Sequence, residues 1–336
     1  MGYIELNKKA FFNNADYYTK LLGDTKKLCI ALKDNAYGHG IEPMAQLSNI
    51  YGIKHCIVRD IDEANIVSNY DFESILVLYE IPKKKYNNNY IFGINSIEKI
   101  SSYPENTKVE LKIDTGMSRN GIKPSELNEA IKLILSNNLI LNGVFTHFCC
   151  ADTDNDDNLT KQQEKLFLEV VAKIKSKVKT QFRVHCANTA GVELVNNNLY
   201  DIARVGIGLY GYNKPIQQYL KPILSLWANK ISTRILDKND SIGYGATFII
   251  EKDNTTISNY DIGYGDGFFR LNERKKGFLE NGSSILGRVS MDNFTTYGDD
   301  DKVCLFKNAT ALASTHDTIE YEILTHLSSK IKRTII

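Results

Sequence analysis

A lysine lies at the end of a short apolar run near the start of the chain. The run over 28–32 is followed by Lys33 and then by a polar segment that contains Gly38 and Gly40. This pattern predicts a buried strand and a loop that leads into a helix. A lysine at the mouth of a buried strand is partly desolvated, which favours the neutral amine that attacks a carbonyl group. Lys33 is therefore a candidate to form a Schiff base with an aldehyde cofactor.

The composition is that of a globular protein with room for a large and a smaller domain. Lys and Arg number 41 and Asp and Glu 40, so a net charge of +1 gives no electrostatic case for binding nucleic acid or a membrane. We expect no membrane span and no signal peptide. The six cysteines form no Cys-x-x-Cys pair, which predicts free thiols, no metal site and a cytoplasmic location.

Strand-like and helix-like segments alternate over the first two-thirds of the chain. Predicted strands cover 27–33, 54–59, 74–79, 91–94, 109–114, 141–148, 182–188 and 202–210, and helical periodicity covers 127–136 and 161–178. Eight strand–helix units predict the α/β class with a (β/α)8 TIM-type barrel. A doubly wound open sheet is the structural alternative, but no Gly-x-Gly-x-x-Gly follows the first strand.

The pattern changes near Lys221-Pro222. Beyond it, short strands separated by Asn, Asp and Gly turns dominate, and a helical tail is predicted over 318–330. We predict a barrel over 9–223 and a mainly β C-terminal domain over 224–336, with residues 1–8 joining the second domain.

Reactive side chains coincide with the carboxyl ends of the predicted strands. A (β/α)8 barrel builds its active site from these ends and the loops after them. The residues placed there are Lys33, Lys112, Asp114, Arg119, His147, His185, Asn188 and Arg204. A single polar strand end means little, but several at one rim favour an active site.

Two late segments are suited to phosphate binding. Asn188-Thr189-Ala190-Gly191 and Gly206-Ile207-Gly208 follow the last two barrel strands, where such barrels commonly bind phosphate. Backbone N–H groups near glycine approach a phosphate closely, and the Thr189 hydroxyl adds a donor. Together with Lys33 they predict a site for pyridoxal phosphate (PLP), with an aldehyde end and a phosphate end.

These segments resemble motifs of the alanine racemases, a family of fold-type III PLP enzymes. The matching stretches are KDNAYGHG at 33–40, DTGMSR at 114–119, FTH at 145–147, HCANTA at 185–190, RVGIGLYG at 204–211, YGATF at 244–248, IGYGDG at 262–267 and GRVSMD at 287–292. They occur in the family's order over nearly the whole chain. The resemblance is therefore far more specific than any one motif.

The resemblance implies a role for each matching residue. Lys33 would hold PLP and act as one base, and Tyr244 of the partner subunit would be the opposing base in a head-to-tail homodimer with shared active sites. The implied PLP-binding residues are Lys33, Tyr37, His147, Asn188, Thr189, Arg204, Gly206, Ile207 and Tyr321. The implied substrate-binding residues are Arg119, Met291, Tyr264 and Asp292. Lys112 matches a lysine that is carbamylated in many members.

The implied reaction is the interconversion of L- and D-alanine, which supplies D-alanine for cell-wall peptidoglycan. PLP delocalises the charge left when the Cα proton is removed, and two bases on opposite faces make the exchange symmetric. An arginine opposite the pyridine nitrogen does not readily give up its proton, so Arg204 would leave that nitrogen unprotonated.

Three other functions remain open from the sequence. A racemase of serine or another small amino acid would share every motif. A fold-type III decarboxylase would share the barrel and Lys33, but Tyr244 and the Met291-Asp292 pair argue against it. A non-enzymatic PLP carrier would lack the second domain.

Asp34 departs from the family pattern, since a small residue is usual at that position.

Overall fold

The computed structural model describes residues 2–153, 157–270 and 277–336. The chain divides into two compact units. The barrel unit comprises Ala10–Ala36 and Met44–Lys221, and the sheet unit comprises Met1–Lys9, Tyr37–Pro43 and Pro222–Ile336. The domain limits of 9–223 and 224–336 stay a prediction.

Sixteen strands lie in the described residues. In chain order they are β1 (Tyr3–Leu6), β2 (Leu28–Ala31), β3 (His55–Val58), β4 (Ser74–Val77), β5 (Tyr90–Ile94), β6 (Lys108–Lys112), β7 (Ile140–Phe145), β8 (Arg183–His185), β9 (Ala203–Val205), β10 (Leu224–Leu236), β11 (Ser241–Ile242), β12 (Phe248–Ile249), β13 (Thr255–Tyr260), β14 (Phe294–Tyr297), β15 (Lys302–Phe306) and β16 (Lys332–Ile335). The α-helices with regular geometry are Lys8–Leu22, Ile41–Tyr51, Ile61–Val67, Leu127–Ser136, Asp157–Lys177, Thr310–Thr315 and Glu320–His326.

The barrel unit contains a sheet of eight parallel strands in the order β8-β7-β6-β5-β4-β3-β2-β9. Two backbone hydrogen bonds link the end strands β8 and β9 or the residues beside them. They run from Arg204 N to Ala187 O (3.0 Å) and from Asp201 N to Val184 O (2.9 Å). The sheet is therefore a nearly closed barrel. All eight predicted strands are present, and the predicted α/β class with a TIM-type barrel is confirmed.

Apolar strand residues fill the barrel unit. Cys29, Ile57, Leu76, Ile91 and Ile202 form one buried cluster, contributed by four neighbouring strands and the residue that precedes β9. Strands that are buried on both faces read as near-continuous apolar runs, which is why they were visible in the sequence. The helix over Leu127–Ser136 matches its prediction, because its apolar residues recur at helical spacing.

The sheet unit is mainly β. Its larger sheet has the order β14-β13-β10-β1-β16, with β15 also paired to β10, and β11 and β12 form a separate hairpin. Strand β1 pairs antiparallel with β10 and parallel with β16. The tail differs from its prediction: the helix covers only Glu320–His326, and Lys332–Ile335 forms β16 because β1 offers it a partner edge.

A second apolar cluster belongs to the sheet unit, with Ile242, Ile250, Ile257 and Leu286 at its centre. Across 2–153, 157–270 and 277–336, no helix is long and apolar enough to cross a membrane.

Candidate active site

Lys33 follows β2 and opens a left-handed turn. The next four residues, Asp34 to Tyr37, all have φ between 52° and 54°. Positive φ is unfavourable for residues other than glycine, so four in a row indicate a backbone held in place for a function. The Lys33 Nζ donates to Asp34 Oδ2 at 3.1 Å, and Asp34 Oδ1 accepts from Arg59 Nη1 at 3.2 Å.

Four positive charges converge on one imidazole at the rim of the barrel. His147 lies just after β7, and its pKa is lowered to about 3. Burial is the largest cause, followed by the charges of Arg204, Lys112, Arg119 and Lys33. His147 is therefore neutral at physiological pH. The same charges make the rim suited to an anionic ligand.

Lys112 ends β6 and is buried, with 6% of its surface exposed. Burial and the charges of Arg119 and Arg204 lower its pKa to about 8, while Asp114 opposes the shift. Asp114 Oδ1 accepts from the N–H groups of Gly116 and Ser118, each at 3.0 Å, which shapes the loop that carries the exposed Arg119.

Arg204 in β9 is held by several acceptors. Its Nη2 donates to Thr146 O at 2.6 Å and to Cys186 O at 3.0 Å, and it lies 3.5 Å from His147 Nδ1. Its Nη1 lies 2.7 Å from His185 Nδ1. The guanidinium is thus buried and fixed in orientation.

Thr189, Gly206 and Gly208 form a small cradle at the end of β9. The Thr189 hydroxyl accepts from Gly206 N at 3.0 Å and from Gly208 N at 3.3 Å, so both N–H groups point to one place. A Cβ on Gly208 would lie 2.1 Å from Tyr18 Oη, which excludes any larger residue. Asn188 Oδ1 accepts from Gly191 N at 2.9 Å and shapes the loop beside it.

The barrel rim fits PLP. It provides a lysine amine for the aldehyde, a threonine hydroxyl that is held by two glycine N–H groups and can donate to a phosphate, and a buried arginine. These donors and cations match the groups that PLP presents. Ile207, buried at 4% exposure, lies in the same cradle segment.

The segment Tyr37–Gly40 packs within the sheet unit. The Tyr37 ring lies 5.7 Å from the ring of Tyr321. Gly38 O accepts from Arg333 Nε at 3.0 Å and from Nη2 at 2.8 Å, and a Cβ on Gly38 would lie 1.9 Å from Leu324 O. His39 is fully buried, with Nδ1 3.0 Å from Tyr37 O. The turn that carries Tyr37 is therefore anchored beside Tyr321.

One loop of the sheet unit gathers the remaining predicted residues. In this loop, 287–292, Ser290 O accepts a hydrogen bond from Tyr264 N (3.0 Å), and Met291 O accepts one from Gly265 N (2.8 Å). The short turn Tyr244–Ala246 approaches the same loop, since a Cβ on Gly245 would lie 3.1 Å from Arg288 Nη1. The exposed fractions are 65% for Tyr244, 55% for Met291 and 40% for Tyr264.

The structure thus assembles the predicted residues into two groups, one in each unit. Lys33, Lys112, Arg119, His147, Asn188, Thr189, Arg204, Gly206 and Ile207 belong to the barrel rim, and Tyr37, Tyr244, Tyr264, Met291, Asp292 and Tyr321 belong to the sheet unit. Sequence reasoning did not single out Glu110, whose carboxylate contacts His185, or Arg333, whose guanidinium donates to Gly38 O. For Glu110, the available signal was a carboxylate among the apolar residues Val109, Leu111 and Ile113 of one predicted strand.

Two family models together match nearly the whole chain. Residues 6–214 match the model "Alanine racemase, N-terminal domain", and residues 223–335 match "Alanine racemase, C-terminal domain". The chain is 39% identical to an alanine racemase of Campylobacter concisus and 38% identical to one of Nitratiruptor, with all of both chains covered in each case.

Solved structures of alanine racemases share the fold of this chain. The structure of alanine racemase from Bacillus anthracis with bound L-Ala-P is 28% identical, covers the whole chain and 95% of its own, and has a TM-score of 0.87. The enzyme from Bartonella henselae with covalently bound pyridoxal phosphate, 24% identical over the whole chain and 99% of its own, shares the fold with a TM-score of 0.83. The chain belongs to the alanine racemase family, whose members depend on PLP.

Proposed function

We propose that this protein uses PLP to interconvert L- and D-alanine, and so supplies D-alanine for cell-wall peptidoglycan. The observation that carries the proposal is the match to both family domains over nearly the whole chain, together with a barrel rim that fits PLP. Lys33 would hold the cofactor, Thr189 and the backbone of Gly206 and Ile207 would bind its phosphate, and Arg204 would face its ring nitrogen.

Bound PLP supplies an electron sink for the negative charge that develops as the Cα proton leaves. Lys33 Nζ exchanges this proton on one face, and the partner subunit's Tyr244 exchanges it through its hydroxyl on the other. Arg119 and the partner subunit's Met291 would position the substrate carboxylate, with Arg119 contributing its positive charge. Tyr264, which is hydrogen-bonded to the loop 287–292, would narrow the entrance, and Asp292 within the loop would support that wall.

We also propose that Lys112 is carbamylated. A carbamate forms on the neutral amine, and burial with the neighbouring arginines lowers the Lys112 pKa to about 8. The resulting anion would pair with Arg119 and hold it toward the substrate. A mass increase of one CO2 on the peptide that contains Lys112 would support this, and its absence from protein kept in bicarbonate would oppose it.

We further propose a homodimer in which the partner's copy of Tyr244 completes the site, and a cytoplasmic location. The large exposed fractions of Tyr244 and Met291 support the first, since large side chains at a solvent surface are suited to an interface. All six cysteines are present as thiols rather than as disulfides, which supports a reducing compartment.

Deuterium exchange tests the proposal directly. Purified protein with PLP is incubated with L-alanine in D2O, and we expect D-alanine that carries deuterium at Cα. L-serine is assayed in parallel, because faster exchange of serine would assign the protein to the alternative small-amino-acid racemases. Release of CO2 from lysine, ornithine or diaminopimelate without D-alanine formation would contradict the proposal and favour a decarboxylase.

A further inference from the structure

A carboxylate lies fully buried beneath the barrel rim. Glu110 in β6 has 0% of its surface exposed. An isolated buried carboxylate would cost several kcal/mol, so its partners matter. Its Oε1 forms an ion pair with Arg183 Nε, and its Oε2 lies 2.9 Å from His185 Nε2. Burial raises the pKa of Glu110, but Arg183 and His185 outweigh burial and lower it to about 2. Glu110 is therefore an anion.

The hydrogen positions on His185 follow from its two neighbours. Arg204 Nη1 lies 2.7 Å from His185 Nδ1, and an arginine nitrogen only donates. Nδ1 must therefore accept, and Nε2 must carry the hydrogen that is donated to Glu110. Burial lowers the pKa of His185 to about 4, so the ring is neutral. The three side chains form an ordered chain from an anion through a neutral imidazole to a cation.

Strand geometry explains why these groups meet. Side chains two residues apart point to the same face of a strand, so Glu110 and Lys112 share one face of β6, and Arg183 and His185 share one face of β8. Strand β7 lies between β6 and β8 in the sheet, and Gly143 in β7 makes room for the carboxylate. A Cβ on Gly143 would lie 2.6 Å from Glu110 Oε1.

We infer that Glu110 is a positioning residue for the racemase reaction. Through His185 it fixes the direction in which Arg204 presents its guanidinium, and it balances the charge of that group below the rim. This inference rests on the proposed function, because Arg204 is taken to face the PLP ring. Glu110 itself touches neither the cofactor nor the substrate in this scheme.

Arg183 provides a matched control. It shares the Glu110 carboxylate, and its Nη1 donates to Ser74 Oγ at 2.7 Å. Both R183Q and E110Q remove one charge of the same buried ion pair, so both are expected to lower the unfolding temperature. Only E110Q removes the anion that receives the His185 hydrogen.

The test compares the absorption spectrum and the dissociation constant of bound PLP, without substrate, in wild type, E110Q and R183Q. We expect E110Q to shift the cofactor absorption band and to weaken PLP binding by about tenfold, the scale of a hydrogen bond to a charged group. R183Q should keep the wild-type spectrum. A wild-type spectrum in E110Q, or equal shifts in both variants, would overturn the inference.

Two further variants keep the test decisive if E110Q folds poorly. E110D retains the charge at a shorter reach, and we expect a smaller spectral shift in the same direction. In an H185N background, exchange of Glu110 for Asp should change PLP binding no further, whereas an undiminished effect would mean that Glu110 does not act through His185. These measurements need no alanine, so failure of this inference can be distinguished from failure of the proposed racemase activity.

Discussion

The barrel rim and the sheet unit present the two proposed halves of the chemistry in opposite environments. In the barrel, Arg204 and Lys112 are buried and each has 6% of its surface exposed. In the sheet unit, Tyr244 and Met291 are more than half exposed. Replacing a buried group leaves its hydrogen-bond partners unsatisfied, as the carbonyl acceptors of Arg204 would be, so the barrel groups also affect stability. Exposed groups can serve binding and proton transfer alone.

This difference predicts that variants of the barrel rim lose activity and stability together, while variants of the exposed loop lose activity alone. Lys33 lies between these two cases, because it follows a buried strand but leaves about a third of its side chain exposed. The following experiments test the contrast, beginning with the largest expected effect.

Exchange of Lys33 for alanine should abolish racemisation, by at least about 10⁴-fold, since one group supplies both the covalent hold on PLP and a base. The assay is D-alanine formation, and the cofactor band is followed during dialysis. Lys26 to alanine is the control, because it removes a lysine from the short turn before β2. Retained activity in the Lys33 variant would remove this residue from the mechanism.

Exchange of Tyr244 for phenylalanine should lower the rate by about 10² to 10⁴-fold, the usual contribution of a general base. Because the side chain is 65% exposed, the unfolding temperature should stay within about 1 °C of wild type. Tyr297, also exposed in the sheet unit, gives the matched tyrosine-to-phenylalanine control. Full activity in the Tyr244 variant would contradict the two-base mechanism.

Acid should destabilise the barrel through His185. The unfolded chain takes up a proton on this residue below pH 6.5, but the folded protein keeps it neutral until about pH 4. Stability therefore falls as the pH drops from 6.5 toward 4, by on the order of 3 kcal/mol for this group. Urea unfolding across that range measures the slope.

The slope should be smaller when His185 is replaced by asparagine. Replacement of the exposed His326 in the sheet unit should leave it unchanged. Equal slopes in wild type and the His185 variant would show that the buried network does not set the acid stability.

The smallest expected effect concerns Asp34. The Asp34 carboxylate forms an ion pair with Lys33 Nζ. Both side chains are about a third exposed, so the pair contributes at most about 1 kcal/mol to the stability of the fold. Asparagine tolerates the positive φ of this position, so Asp34 to asparagine removes the charge without new backbone strain. We expect the apoprotein to take up PLP up to about fivefold faster, followed by absorbance.

Asp62, exposed on the helix Ile61–Val67, provides the matched control for this substitution. Slower uptake in the Asp34 variant would mean that the carboxylate assists Lys33 rather than restrains it.

Much of the barrel was accessible from the sequence because its strands are short apolar runs that end in polar residues. The strand ends over 109–114 and 202–210 were predicted too long, since polar and glycine residues that continue a run in sequence lie in loops in the structure. The tail strand β16 was missed because a strand at the edge of a sheet depends on its partner β1, which lies more than 300 residues away.

The sequence by itself determined the class of fold, the position of Lys33 at a strand end and the family motifs, because these depend on local order and residue type. Only the tertiary structure decided that Glu110, His185 and Arg204 form one chain of hydrogen bonds. They come from three strands, and neighbours across a sheet carry no mark in the local pattern. Tertiary packing likewise decided which candidate groups are buried, such as Arg204 and Lys112, and which are exposed, such as Tyr244 and Met291.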